Sequence, residues 1–234
     1  MPNRKNILIT GIGSGLGEAL TKEYLAYGDA VYAIGRTCPK IFDNNPHFFF
    51  LPYDLTQTFM INTEIRPFIE NRAFDVVILN AGVLGEIQTL KQTDLDEIKE
   101  VMEINVWANK ELIDALNEYA DIKQVVGISS GAAVNGSKGW GAYSFSKAGL
   151  NMLLSVYAKE LPEIHFTALA PGVIDTPMVQ HIIHDVNDAK FPSAKRLKEG
   201  HIQSPQEAAK LLISTFDKLL EYKNGSFLDV RTML

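Results

Sequence analysis

The sequence predicts an α/β fold: a three-layer, doubly wound parallel sheet of about seven strands flanked by helices, Rossmann-like in plan. Three observations predict it. Short continuous apolar runs alternate with longer helical patterns, and strands that are apolar on both faces belong to a parallel sheet covered on both sides. The first run passes at once into a glycine-rich turn and then a helix. The 234 residues hold no repeat and no Gly-, Ser- or Pro-rich linker, so residues 1–234 are read as one domain.

The elements follow in order. Residues 7–10 make the first strand, and a helix runs through Leu20, Tyr24 and Tyr27 to Gly28. Residues 30–34 and the Phe-rich 47–53 make the second and third strands. Residues 74–79 make the fourth, closing on Asn80-Ala81-Gly82. A long helix is predicted over 94–119, a strand over 124–128, a helix over 140–161 and a strand over 164–169. Ser204, Pro205 and Glu207 carry the signature of a capped helix start. That helix reaches Tyr222, and residues 226–230 add a last strand. Residues 177–200, which mix Met178, Ile182, Ile183 and Phe191 with charges, read as a mobile helical lid over a substrate.

Composition excludes several classes. Hydrophobic residues make up 46% and charged residues 21%, which is ordinary for a globular chain. The net charge of −6 argues against a general nucleic-acid or anionic-membrane binder. No stretch approaches the roughly 18 apolar residues of a membrane span. The single cysteine, Cys38, permits neither an internal disulfide nor a cysteine-built zinc site. His181 and His184 are spaced like paired ligands but have no third at a recognised spacing, so no metal is expected. A cytoplasmic location is expected.

In open doubly wound sheets, ligands bind beyond the carboxyl ends of the strands. The first such turn reads Thr10-Gly11-Ile12-Gly13-Ser14-Gly15-Leu16-Gly17. Its spacing is T-G-x-x-x-G-x-G, not G-x-G-x-x-G. The logic is shared: glycines let the backbone turn tightly and approach a pyrophosphate at a helix N-terminus. After the second strand comes Gly35-Arg36, where NAD binders place an acidic residue for the ribose hydroxyls. Arg36 suits a 2′-phosphate instead. NADP is therefore the preferred cofactor, with NAD as the alternative.

Tyr143 and Lys147 are spaced i, i+4 and share a helix face. Ser130 ends the fifth strand thirteen positions before Tyr143, and the segment between holds four glycines. Hydride reduction of a carbonyl needs a proton donor for the developing alkoxide. A tyrosine can serve if a neighbouring lysine cation lowers its pKa, and a serine hydroxyl can bond the oxygen where charge builds. Asn105 lies inside the long helix, where Asn is a mediocre helix former. Trp140, just before Tyr143, is placed to line the pocket.

On these residues the chain resembles the short-chain dehydrogenase/reductase superfamily over essentially its whole length. The motifs fall in family order: Thr10-Gly11-xxx-Gly15-x-Gly17, Asp54, Asn80-Ala81-Gly82, Asn105, Ser130, Tyr143-xxx-Lys147 and Pro171-Gly172-xxx-Thr176. The resemblance implies that Tyr143 is the catalytic acid/base and that Ser130 polarises the carbonyl. Lys147 would bind the nicotinamide ribose and lower the Tyr143 pKa, and Asn105 would hold a relay water. Asp54 and Leu55 would flank the adenine. Asn80, Ala81 and Gly82 would line the middle of the cofactor. Val173, Ile174 and Thr176 would hold the carboxamide. Residues 158–178 and 224–230 look like sepiapterin reductases and bacterial benzil reductases. In the former an Asp of the tail anchors the pterin, and Asp229 falls at that place. Met178 joins Trp140 and Asp229 as a substrate candidate. The family pairs helices across two-fold axes, which implies a homodimer or homotetramer.

The expected function is NADP-dependent reduction of a small carbonyl, a dicarbonyl or pterin-like ketone. The alternatives are a non-catalytic NADP-binding sensor or scaffold on the same fold, and an NAD-dependent alcohol dehydrogenase. The first loses ground because Asn105, Ser130, Tyr143 and Lys147 are all present; the second is opposed by Arg36.

Overall fold

The computed structural model describes residues 4–233. Seven parallel strands form one sheet: β1 (Asn6–Thr10), β2 (Ala30–Gly35), β3 (Phe48–Pro52), β4 (Val76–Leu79), β5 (Gln124–Ile128), β6 (His165–Ala170) and β7 (Ser226–Asp229). Their order is β3-β2-β1-β4-β5-β6-β7. The order reverses at β1, so the crevice between β1 and β4 is the topological switch point of the sheet.

Alternating side chains divide the core into two layers. Leu8 of β1 faces a cluster with α2 (Ile61–Ile69), α4 (Ala108–Tyr119) and α5 (Gly141–Glu160). Ile7 and Ile9 face the other cluster, with α1 (Gly15–Ala26) and α8 (Pro205–Leu219). Helices α3 (Leu95–Met102), α6 (Pro177–Asp185) and α7 (Pro192–Glu199) complete the set. No described helix is long and apolar enough to cross a membrane.

Five points differ from the sequence expectations. The fourth strand is broken at Asp75: Ala73–Phe74 pairs with Asp121–Ile122 in a separate two-stranded sheet. Asp75 instead accepts from the Asn6 backbone N–H at 2.9 Å and from Lys123 at 2.5 Å. The long helix over 94–119 is two helices joined by a π-helical turn, Glu103–Trp107. α2 was not foreseen; Ile61, Ile65 and Ile69 are fully buried on one face of it, although Pro67 lies inside it. Residues 177–200 form two helices, α6 and α7, with Phe191 of the connecting segment buried. The last helix ends at Leu219, short of Tyr222. Beyond it the Asn224 amide imitates a strand, accepting from Phe166 N and donating to Ile164 O, both at 2.8 Å.

At the amino ends of the strands, Lys5 pairs with Asp217 at 2.9 Å and its backbone N–H donates to Asp29. The carboxyl ends open into a cleft of about 510 Å³.

Candidate active site

The floor of the cleft is the turn between β1 and α1. Buried Thr10 accepts from the backbone N–H groups of Asn80 and Ala81 at 3.0 Å each. The Asn80 amide returns to Thr10 O at 3.0 Å and Gly11 O at 2.8 Å. This clip locks the ends of β1 and β4 together at the switch point. Gly11 and Gly15 sit at φ +73° and +61°, where a side chain is strained. A Cβ at Gly17 would collide with the Gly11 carbonyl oxygen and the Asn80 amide. Ser14 is the extended N-cap of α1, yet its side chain makes no capping bond. The first-turn N–H groups are thus left uncapped by that side chain, and a helix start in that state is a seat for an anion. This cradle fits the pyrophosphate of a dinucleotide.

One end of the cleft is lined by Arg36, Thr37, Asp54, Leu55 and Thr56. Arg36 is exposed on the rim. The Asp54 carboxylate accepts from Thr56 N at 3.1 Å and Thr56 Oγ1 at 3.0 Å, which fixes the loop. Leu55 is buried beneath it. Thr37 was not anticipated; its hydroxyl lies over Gly13, so it shapes the approach to the glycine turn.

At the other end stand Ser130, Tyr143 and Lys147, all lining the cleft. Ser130 caps a 3₁₀ turn by accepting from Ala132 N at 3.1 Å. Lys147 Nζ donates to Ile128 O at 2.8 Å and lies 5.6 Å from the Tyr143 ring centroid. Burial pushes the phenol up to about 12, and a hydrogen bond with Ser130 offsets part of that rise. Burial also brings the Lys147 ammonium down to about 8. Desolvation is the leading cause of both displacements.

Asn105 lies in the π-helical turn and is fully buried. Its Oδ1 accepts from Val83 N at 2.8 Å, and its Nδ2 donates to Val83 O at 2.9 Å and to Ser146 Oγ at 2.8 Å. Ser146 donates onward to Tyr143 O at 2.8 Å. The side chain is therefore a clamp between the strand-end loop and α5, and its polar atoms are occupied by protein partners. Ser129, beside Ser130, donates to Asn151 at 2.6 Å and so pins β5 to α5.

Pro171, Gly172, Val173, Ile174 and Thr176 line the cleft after β6. Gly172 has φ +85°. Gln203, missed by the sequence reading, holds this loop: its N–H donates to Val173 O and its C=O accepts from Asp175 N, both at 2.9 Å. Thr176 caps α6 and places its methyl against Gly15.

Beside Tyr143 the packing is apolar. Trp140, Leu84, Ile182, Val186 and Phe191 form one buried cluster, with Tyr143 and Met178 packed on it. The rings of Trp140 and Tyr143 are 6.2 Å apart, and Trp140 Nε1 donates to Ser193 Oγ of α7 at 2.5 Å. The structure does not bring Asp229 into the cleft. Its carboxylate is held by Arg231 through Nε at 2.9 Å and Nη2 at 2.5 Å. This pairing keeps the Asp229 pKa below the usual carboxylate value. His181 and His184 sit on α6, bonded to Asp185 and Gln180.

Comparison with known proteins agrees with this geometry. The family model described as short chain dehydrogenase matches residues 5–187. A benzil reductase, (S)-benzoin forming, of Bacillus subtilis is 31% identical, covering 97% of this chain and 98% of that protein. A sepiapterin reductase of Meriones unguiculatus is 32% identical over 66% of this chain and 62% of its own length. The crystal structure of the KRED1-Pglu enzyme superposes with a TM-score of 0.83 at 27% identity, covering 96% of this chain and all of that one.

Proposed function

Since this chain belongs to the short-chain dehydrogenase family and is an NAD(P)-dependent oxidoreductase, we propose that it reduces a small apolar 1,2-dicarbonyl with NADPH, Tyr143 supplying the proton. The observation that carries this reading is the Ser130–Tyr143–Lys147 group beside the wall of Trp140, Met178 and Ile182.

NADPH, when bound, supplies the hydride. The uncapped first turn of α1 would hold its pyrophosphate, and Arg36 its 2′-phosphate. Asp54 and Leu55 would flank the adenine. Asn80, Ala81 and Gly82 would line its middle, and Val173, Ile174 and Thr176 the carboxamide. Ser130 orients the carbonyl by donating to its oxygen, which stabilises the charge that develops there. The Tyr143 hydroxyl, protonated at neutral pH, gives its proton to the same oxygen. Lys147, tied to Ile128 O, presents positive charge from below. The aromatic wall excludes water.

Two relatives point to different ketone classes. The Asp229–Arg231 pair favours the benzil type, because a carboxylate already bound twice by a guanidinium is poorly available to a pterin. Half-exposed Phe145, Val156 and more exposed Met152 along α5 support a homo-oligomer assembled through that face. The one unpaired cysteine supports a cytoplasmic setting.

The test is NADPH oxidation against benzil, sepiapterin and simple monoketones, with Tyr143→Phe alongside. Turnover of benzil, lost by about 10²–10⁴-fold in the Phe variant with NADPH affinity retained, supports the reading. Preference for sepiapterin, or tight NADPH binding with no turnover of any ketone, overturns it.

A further inference from the structure

The segment that runs from the strand-end loop to the side of Trp140 is held from outside the cleft by one carboxylate. Glu97 lies in the first turn of α3 and is half-buried. Its Oε1 accepts from the Glu86 backbone N–H at 2.6 Å, and its Oε2 accepts from Gln88 Nε2 at 2.9 Å. Gln88 runs beside Trp140 as an isolated parallel bridge, its backbone N–H donating to Gly139 O at 3.2 Å. The segment is pressed tightly there. Gly85 has φ +70°, and a Cβ on it would meet Val101 of α3 at 2.9 Å, Glu97 Oε1 at 3.1 Å and Ala142 of α5 at 3.7 Å. Gly139 has φ +93°, and a Cβ on it would meet the Phe191 ring at 2.5 Å and Ile87 at 3.1 Å. Leu84, at the start of the segment, is buried in the cluster that contains Trp140.

Trp140 is the N-cap of α5, the helix that carries Tyr143, and its ring lines the cleft 6.2 Å from that of Tyr143. A chain of hydrogen bonds therefore leads from Glu97, which does not line the cleft, to the residue that forms its apolar wall. Bonds from backbone and amide N–H groups to a carboxylate are charge-assisted and strong for their size, and small displacements of a wall residue are felt at the reacting centre. We propose that Glu97 is a positioning residue for the ketone pocket: through residues 85–88 it sets Trp140 against Tyr143 and fixes the wall that receives the body of the substrate. The proposal rests on the ketone-reductase reading above and adds to it a residue outside the cleft that determines specificity.

The experiment compares Glu97→Ala, Glu97→Gln and Gln88→Ala with the wild type. Glu97→Gln keeps an acceptor for the Glu86 N–H, and a flip of the Gln88 amide restores the second bond, so it is the conservative rescue. With benzil, whose rings need the whole wall, Glu97→Ala raises KM by roughly tenfold, Gln88→Ala by less, and Glu97→Gln by no more than about threefold. With 2,3-butanedione, too small to span the wall, all three variants match the wild type, and kcat and NADPH affinity hold throughout. A second readout needs no turnover. In a Trp107→Phe background Trp140 is the sole tryptophan. Acrylamide quenching of its emission should rise by about twofold in Glu97→Ala and return in Glu97→Gln, as expected for a wall that loses and regains its two bonds. Equal rises in KM for both diketones, or loss of NADPH affinity alongside them, mark a role in stability alone and overturn the proposal, and so does unchanged quenching. Failure to turn over benzil at all sinks the reductase reading instead, and quenching then decides the role of Glu97 by itself. If Glu97→Ala does not fold, Gln88→Ala carries both readouts against Glu97→Gln.

Discussion

The Asn105 amide donates to the Ser146 hydroxyl at 2.8 Å inside a fully buried pocket, one residue before Lys147 on α5. The bond fixes the π-helical turn against the helix that carries Tyr143 and Lys147. Ser146→Ala leaves a buried N–H without that partner, at a cost of about 1–3 kcal/mol. The expected fall in Tm is roughly 3–10 °C for a domain of this size, measured by thermal denaturation. Asn105→Ala loses three bonds and falls further, and kcat falls with it. Unchanged Tm in both variants would remove the clamp from the account.

Lys147 carries a stability signature with a definite sign. Its pKa is about 8 in the folded chain against 10.5 for the ordinary group. Between those values the unfolded state binds more protons, so this group's contribution to stability rises with pH across that window. Below pH 8 the buried charge costs stability in full. Lys147→Met removes that term. The Tm of the variant relative to wild type should therefore be highest near neutral pH and decline as pH rises through 8 towards 10.5. A flat difference across the window contradicts the depressed pKa.

Tyr143 is displaced in the opposite sense, up to about 12 from 10.0. It remains protonated throughout the neutral range, so it imposes no falling limb on ketone reduction there. A falling limb above about pH 8 is instead predicted from Lys147, whose charge is lost near there. In kcat/KM profiles the Lys147→Arg variant keeps its charge and should move the alkaline limb upward, whatever its absolute rate.

The proposed preference for NADPH rests on Arg36. Arg36→Asp removes the group suited to a 2′-phosphate and introduces one suited to ribose hydroxyls. NADPH affinity should fall by roughly 10- to 100-fold, as expected for charge-assisted hydrogen bonds, with NADH affinity steady or improved. Dissociation constants from fluorescence titration decide it. Equal loss of both cofactors would point to damage of the loop.

Two glycines of the same turn should behave differently. A Cβ at Gly13 meets the Thr37 hydroxyl, the end of a rotatable side chain, whereas one at Gly17 meets the Gly11 carbonyl and the Asn80 amide that locks the switch point. Gly13→Ala is tolerated by rotation of Thr37, and Thr37→Ala relieves what remains. Gly17→Ala opens the Thr10–Asn80 clip, weakening dinucleotide binding more than tenfold and lowering Tm. Titration and melting of the two variants side by side discriminate them.

The sheet and the ordered motif residues were legible because each is a local statement: a continuous apolar run, a glycine turn, a tyrosine one helical turn from a lysine. What was missed depends on partners far away in sequence. Asp75 interrupts its strand because Asn6 and Lys123 claim its side chain. The π-helical turn at Asn105 exists because Val83 and Ser146 hold the amide from two sides. α2 had a readable pattern, Ile61, Ile65 and Ile69 at intervals of four, but Pro67 masked it. Thr37, Gln203 and Ser193 carry no motif; packing alone brings Thr37 to the cleft, Gln203 to the loop after β6 and Ser193 to Trp140. Asp229 shows the converse: its position matched a pattern, but its carboxylate pairs with a guanidinium two residues away.

Because all seven strands run the same way, the molecule has two rims with separate duties. The ion pairs Lys5–Asp217 and Lys123–Asp75 lie at the amino ends of strands, remote from the cleft at the carboxyl ends. Stabilising changes commonly trade against activity when they fall where a site needs its strained or mobile parts. Here the rim at the amino ends can be hardened, or fused to another protein, without entering the chemistry. The opposite rim can exchange loops to meet new substrates while the sheet beneath it stays intact.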